Sequence, residues 1–226
     1  MITLLDRPIW SALTTTHKGL AEGDGLARRY QPGFLPMAGM AVDTSQAATD
    51  FAAFVRPGET LYVLQADPVL APAGLETVVA TEAMQMIAQH VPVAAADEAI
   101  VALGAEDAEE MLALATLTKP GPFSLKSQAL GRFWGVRESG RIVAMAGERM
   151  RQPGFTELSG VCTHPDYRGK GYARRLSLHV AGQIVEAGAR PYLHAFASNM
   201  AAIGLYETIG FSLRRSMHVA ALRRPD

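Results

Sequence analysis

The sequence predicts an α/β protein, and three observations carry that expectation. The first is the stretch LSGVCTHPDYRGKGYA at 158–173. An apolar run with β-branched Val161 and Thr163 is stopped by Pro165, which has no N–H to give to a sheet. Beyond the next turn, Ala173, Leu176, Val180 and Ile184 fall at helical spacing. The second observation is that helix-type and strand-type patterns alternate along both halves of the chain. The third is composition: 226 residues, 49% hydrophobic and 19% charged, can bury a core and do not read as disordered. That length suits one large domain or two small ones.

Charge and targeting signals narrow the function classes. The formal net charge is −1, which argues against bulk electrostatic binding to nucleic acid or to an anionic membrane. Cys162 is the only cysteine, so no intrachain disulfide is expected. The opening MITLLDRPIW lacks a basic segment followed by a long apolar one, so a secretory signal is not expected. No apolar run approaches the roughly 20 residues that span a bilayer. A cytoplasmic protein is the expectation.

Taken in order, the N-terminal elements begin with a helix that Asp6 caps and Pro8 starts, burying Trp10, Leu13 and Leu20. Glycines at 23 and 25 break the pattern, and 26–30 is short and basic. A second helix spans 44–55, with Ser45 as its cap and Ala47, Ala48, Phe51, Ala52 and Val55 at helical spacing. Residues 60–64 form a strand rich in β formers. The stretch 75–89 reads either as two strands or as a strand and a helix, and 98–103 as a further strand. His17 and His90 stand alone, as surface or packed histidines. A degenerate second copy of the C-terminal fold is one reading of this half, though no sequence repeat displays it.

The C-terminal half opens with a helix after Gly104 that carries acids in its first turn and ends at Lys119-Pro120-Gly121-Pro122. Residues 133–136 and 141–145 flank a hairpin turn, and 151–154 forms a loop. Phe155 then enters the strand that leads to the glycine-rich turn. After its helix come a stop at 187–191, a strand at 192–197, a short helix at 199–208, and closing strands at 211–213 and 217–222. Strand alternation puts Tyr192, His194 and Phe196 on one face.

The turn Arg168-Gly169-Lys170-Gly171 sits where a helix begins. A helix N-terminus carries unpaired N–H groups and partial positive charge, and glycines let a ligand come close to them. Phosphate or pyrophosphate suits such a place. Neither the phosphate-loop pattern GxxxxGK[ST] nor the dinucleotide pattern GxGxxG is present. The run Arg168-Gly169-Lys170-Gly171-Tyr172-Ala173 instead resembles the R/Q-x-x-G-x-G/A signature of the GNAT acyl-CoA N-acetyltransferases. Further on, Asn199, Ala202, Tyr206, Gly210 and Phe211 are similar to that family's closing pattern N-x-x-A-x-x-x-Y-x-x-x-G-F. Both patterns occur in the family's order. The resemblance covers roughly 105–224, and the Leu193-His194 strand looks most like the glycine N-acyltransferase-like (FR47-like) branch.

The resemblance implies a GNAT fold, a mixed and mostly antiparallel sheet with flanking helices, over 105–226. An N-terminal α/β region of unclear role, 1–104, precedes it. It further implies acetyl-CoA, or another short acyl-CoA, as acyl donor. Backbone groups of Val161 and Thr163 would hold the pantetheine arm, although ordinary sheet pairing is the alternative. The N–H groups of Arg168, Gly169, Lys170, Gly171, Tyr172 and Ala173 would meet the pyrophosphate. Asn199 would touch the cofactor arm, or merely cap its helix together with Ser198. Tyr206 would protonate the leaving thiolate, or be a half-buried helix tyrosine. His194, or Glu157 directly or through a water, would relay the proton of the attacking amine; the alternative for both is a polar group at the sheet rim. In other GNAT enzymes a glutamate often stands where His194 does, so the match is to role. Cys162 is expected to be a packed small residue, with a covalent acyl-cysteine route as the minor alternative.

The function implied is transfer of an acetyl or other short acyl group to a primary amine by direct attack in a ternary complex. The acceptor would be a small molecule or a peptide; no metal, nucleic acid or membrane is implied, and a homodimer is the candidate assembly. The rival from another class is a non-catalytic acyl-CoA-binding sensor or structural module. It would keep the glycine turn and tolerate loss of His194, Glu157 and Tyr206.

Overall fold

The computed structural model describes residues 3–92 and 97–226. Helix α1 (Pro8–Thr14) starts at a proline whose missing N–H costs nothing in a first turn, and it buries Ile9, Ala12 and Leu13. Asp6 does not cap it: that carboxylate accepts from the Thr3 N–H and pairs with Arg214 and Arg215. Trp10 and Leu20 are only partly buried. Strands β1 (Ala21–Glu22), β2 (Ala27–Tyr30) and β3 (Ala38–Met40) form a small antiparallel sheet. Helix α2 (Ser45–Phe54) is capped by Thr44 and not by Ser45, since the Thr44 hydroxyl accepts from the Ala47 N–H at 3.3 Å.

Strand β4 (Thr60–Gln65) comes next. The stretch expected to divide near 75–89 is instead one strand, β5 (Glu76–Ala88). Its first seven residues are exposed, which removes the alternation that would mark a strand. Then come β6 (Ile100–Leu103), α3 (Ala108–Thr118), β7 (Phe133–Glu138) and β8 (Arg141–Gln152). The β7–β8 turn is Ser139-Gly140, both at positive φ, as a tight hairpin requires. Strand β8 runs on through Gln152, so the expected loop at 151–154 shrinks to Pro153 and Gly154. Strand β9 (Phe155–Thr163) leads through the glycine turn into α4 (Tyr172–Glu186). That helix buries Leu176, Val180 and Ile184 and stops at Gly188 (φ 78), where the Ala189 N–H closes on the Ile184 carbonyl. Strand β10 (Arg190–Phe196), α5 (Met200–Thr208) and β11 (Phe211–Arg223) complete the chain. The two closing strands expected are one strand, with Arg214 as an extra residue at a bulge.

One eight-stranded sheet runs β4-β11-β5-β10-β9-β8-β7-β6. Every neighbouring pair is antiparallel except β9 and β10. Strands from the first 104 residues thus lie in the same sheet as the C-terminal strands, and β5 is hydrogen-bonded between β10 and β11. Helices α4 and α5 cover one face, where Leu158, Leu176, Val180, Leu193 and Phe211 pack together. Helices α1 and α3 cover the other, α1 on Met150 and Met217 and α3 on Met145 and Cys162. Among the described residues no helix is long and apolar enough to cross a membrane.

Candidate active site

The parallel pair β9–β10 holds for only three positions: Phe155 with Arg190, Thr156 with Pro191, and Glu157 with Tyr192. Beyond them the strands part. Residues 158–163 of β9 keep only β8 as a neighbour, and 193–196 of β10 keep only β5. The wedge between them opens into a cleft of about 900 Å³. Val161, Thr163, Ala195 and Phe196 line the wedge, the turn after β9 lies at one end, and Asn199 and Tyr206 approach from α5. The same cleft is also lined by Tyr62, Val79, Val219, Arg149 and the loop 119–122 that follows α3.

A bulge in β9 shapes the wedge. Gly147 pairs with Ser159 and Met145 with Cys162, so β9 carries one residue more than β8. Gly160 takes φ 64, and a Cβ there would sit 2.9 Å from the Phe133 ring. The extra residue flips the alternation: Leu158 and Val161 face the α4 core, and Cys162 faces the α3 core. Burial pushes the Cys162 thiol up to about 11, which suits a packed residue and not a nucleophile.

The turn is open to a ligand. Gly169 and Gly171 lie at φ 80 and 78, and nothing stands within 4 Å of a Cβ built on either. Of the expected cradle, the Arg168 N–H is already taken, donating to the Pro165 carbonyl at 3.3 Å, whereas the backbone N–H groups of Gly169, Lys170, Gly171, Tyr172 and Ala173, and of Arg174 beyond them, find no acceptor among the described residues. Arg168 and Lys170 are exposed, with the Lys170 ammonium 4.8 Å over the Tyr167 ring. The Tyr172 side chain turns away, its hydroxyl donating to the Glu138 carboxylate, so Tyr172 can offer only its backbone. In the wedge the Thr163 hydroxyl oxygen is buried without a partner among the described residues. An amide-bearing arm tipped with phosphates fits this donor set: the orphaned hydroxyl and parted strand edges for the arm, the N–H cradle and cations for the phosphates. Asn199 caps α5, its Oδ1 accepting from the Ala202 N–H at 3.1 Å. That uses the oxygen and leaves the amide N–H groups beside the cleft.

Tyr206 is 8% exposed, stands edge-on to Phe211, and makes no hydrogen bond through its hydroxyl among the described residues. Burial pushes that phenol up to about 12, so it carries its proton at neutral pH.

The structure brings Glu157 and His194 together. Glu157 is fully buried, and its Oε1 lies 2.7 Å from His194 Nδ1. Arg149 clamps the same carboxylate, donating through Nε at 2.8 Å and Nη2 at 2.7 Å. Burial alone would raise this carboxyl; the Arg149 charge, its hydrogen bonds and His194 outweigh burial and hold Glu157 down at about 2. On the other side of the ring, Gln85 Nε2 lies 2.9 Å from His194 Nε2. The amide orientation is set by its other partners, since Gln85 Nε2 also donates to the Leu5 carbonyl and Oε1 accepts from Arg214. Gln85 therefore donates to Nε2, and the ring donates Nδ1–H to Glu157. Both ring nitrogens are engaged.

Sequence reasoning missed Arg149, Gln85 and Arg214. Arg149 lies in the part of β8 beyond the expected strand, Gln85 in the ambiguous stretch, and Arg214 at the bulge. Buried polar residues within strands were the available signal. Among the described residues no group of three His, Cys, Asp or Glu side chains is placed to hold a metal.

Known proteins share parts of this sequence and fold. The model of the FR47-like protein family matches residues 133–219. A crystal structure of a GNAT-family protein from Novosphingobium aromaticivorans is 39% identical over 100% of both chains, with a TM-score of 0.93. The ribosomal protein bS18-alanine N-acetyltransferase of Escherichia coli is 36% identical over 95 residues, 40% of this chain and 64% of that protein. The match thus spans just under two thirds of that relative. A GCN5-related N-acetyltransferase from Kribbella flavida, 17% identical over 93% of this chain and 95% of its own, has the same fold at a TM-score of 0.62.

Proposed function

This chain belongs to the GNAT family, and on that premise we propose that it transfers an acetyl or other short acyl group from a coenzyme A thioester to a primary amine. The amine attacks directly, with both substrates bound. The observation that carries the reading is the β9–β10 wedge ending on six N–H groups without acceptors among the described residues. The thioester supplies an activated carbonyl and a thiolate leaving group. The turn at 168–173 neutralises phosphate charge, and the edges of Val161 and Thr163 hold the arm straight in the wedge. Asn199 borders the arm from α5; as the new N–C bond forms and the C–S bond breaks, Tyr206 delivers its proton to the departing sulfur and regains one, through solvent, from the proton the attacking nitrogen sheds.

The polar cluster bears on the acceptor. An amine with a reference pKa near 10.4 would need a base, at a handicap of about 4 kcal/mol at neutral pH. Glu157, held at about 2, takes up a proton poorly. His194 can act as the relay only by giving up the Gln85 hydrogen bond on Nε2. An α-amine, reference pKa 7.7–8.0, carries a handicap of only about 1 kcal/mol. This favours an α-amine as acceptor. The E. coli relative acts, by its name, on an alanine of a ribosomal protein, and a peptide N-terminus is accordingly one acceptor class.

The same engaged cluster favours one second reading, an acyl-CoA-binding module without turnover. Calorimetric titration with acetyl-CoA, followed by amine-dependent thiol release, separates the two. Binding with thiol release that depends on an added α-amine supports the enzyme. Binding with no release from any amine would leave the module, and no binding would remove both.

A further inference from the structure

Arg149 has more donors than its partner uses. Nε and Nη2 bind the Glu157 carboxylate, while Nη1 makes no hydrogen bond among the described residues. The side chain is 14% exposed and Glu157 is not exposed at all. Nη1 lies beside the loop 119–122, 3.8 Å from where a Cβ on Gly121 would stand, and both Arg149 and this loop line the cleft. We infer that Arg149, neutralised by Glu157, binds a neutral carbonyl oxygen of the acceptor through Nη1, and so selects an α-amine followed by an amide over a free amino acid. This rests on the acyl-transfer reading above and deepens it.

Charge balance decides between the two acceptors. Arg149 and Glu157 together carry no net charge, and the hydrogen bonds of His194 assign it a neutral ring. An amide carbonyl accepts an N–H and leaves that balance unchanged. A carboxylate would place a second negative charge beside a fully buried Glu157, with one arginine to serve both. Lys119 lines the same cleft, at φ 53, but it is exposed, and water screens its charge. Tyr30 and Tyr192, also near the pair, are buried phenols with raised pKa values, and His17, which feels the Glu157 charge, is pushed by burial down to about 4, so none of the three adds a cation at neutral pH. Arg149 is thus a specificity-determining residue, and Glu157 the group that sets its net charge.

The test compares alanine, alaninamide and a short alanyl peptide as acceptors, with acetyl-CoA saturating and rates expressed per neutral amine. The wild type should favour the amide and peptide over alanine by about tenfold or more, the equivalent of one charged hydrogen bond. Glu157→Gln leaves Arg149 with uncompensated charge, and the preference should fall at least tenfold or invert towards alanine. Arg149→Lys keeps the charge balance without Nη1; KM for alaninamide should rise while the acetyl-CoA Kd stays put. A purely structural pair would lower all three acceptors together. Acylation with an unchanged amide-to-acid ratio in Glu157→Gln would overturn this inference alone; if that variant does not fold, an unchanged ratio in Arg149→Lys does the same. Acetyl-CoA binding with no acceptor acylated would overturn the acyl-transfer reading and this inference with it.

Discussion

Gly171 and Gly188 form a matched pair for testing the cofactor cradle. Both sit at φ 78, both have nothing within 4 Å of a built Cβ, and they flank the two ends of α4. Only Gly171 lies on the cleft. Alanine at either position forces a side chain into the left-handed region, at about 1–2 kcal/mol. For a chain of this length each kcal/mol lowers Tm by roughly 2–4 °C, so both variants should melt about 2–8 °C early. Affinity should separate them. A methyl on Gly171 stands in open space at the mouth of the cradle and keeps phosphate oxygens from the N–H groups. Losing one hydrogen bond to a charged group costs about 1.5–3 kcal/mol, or roughly 10- to 150-fold in Kd. Micromolar binding needs about 8 kcal/mol, so Gly171→Ala should weaken acetyl-CoA without abolishing it. Gly171→Glu adds charge repulsion and should abolish it. The assay is titration calorimetry on the wild type, Gly171→Ala and Gly188→Ala, with melting curves beside it. Unchanged affinity in Gly171→Ala, or an equal loss in Gly188→Ala, would refute the assignment of the cradle.

Other outcomes are expected. Tyr206→Phe should lower kcat by roughly 10²-fold or more, the usual contribution of a proton donor, with the acetyl-CoA Kd within about threefold; equal turnover would remove Tyr206 from the reaction. His17 is buried against Tyr30, and burial, with the Arg151 charge, pushes it down from 6.5 to about 4. A depressed pKa means the unfolded chain binds the proton more readily, so this stability is full above pH 6.5 and is lost as pH falls through about 4. Urea unfolding should show about 2 kcal/mol less stability at pH 5 than at pH 7, and His17→Gln should flatten that slope; a slope unchanged by the substitution counts against it. Glu157, held at about 2, should add a second loss between pH 4.5 and 2, absent in Glu157→Gln. Cys162 should resist a disulfide reagent in the native protein at pH 8 and react once unfolded, and Cys162→Ser should keep acyl transfer; rapid native labelling, or an inactive serine variant, would reopen a covalent route.

The parts of the fold legible in the sequence are those whose signal is local. Pro165, the glycines of the turn and the spacing of Leu176, Val180 and Ile184 announce a strand, a turn and a helix within 30 residues. The cleft is legible to the same extent, because the turn and α5 supply two of its walls. The polar cluster is not. Glu157 and His194 both stand out, yet nothing local joins residues 37 positions apart; the three-position parallel register of β9 and β10 does that. Gln85 meets His194 across 109 positions, from a strand whose exposed half hides its period. Asp6 has the sequence look of a cap, but Arg214 and Arg215 reach it from the far end of the chain and draw its carboxylate away. Local grammar assigns such a residue to the nearest helix, and long-range charge pairing overrides it.

The chemistry of the cleft therefore depends on the half of the chain that carries no motif. Gln85, on β5, decides which nitrogen of His194 holds the proton, and the Leu5 carbonyl and Arg214 decide how Gln85 is turned. Arg214 is held in place by Asp6 and Thr3. A histidine on β10 is thus set by a relay that begins before α1. Its other neighbour, Glu157, answers to Arg149 on β8. With its ring fastened on both sides, His194 is suited less to taking a proton than to holding Glu157, and through it Arg149, in place at the cleft. On the proposed reading an α-amine is short of its neutral form by only about 1 kcal/mol, and the tasks left to the protein would be to hold the thioester straight, to read the group next to the amine, and to return a proton through Tyr206.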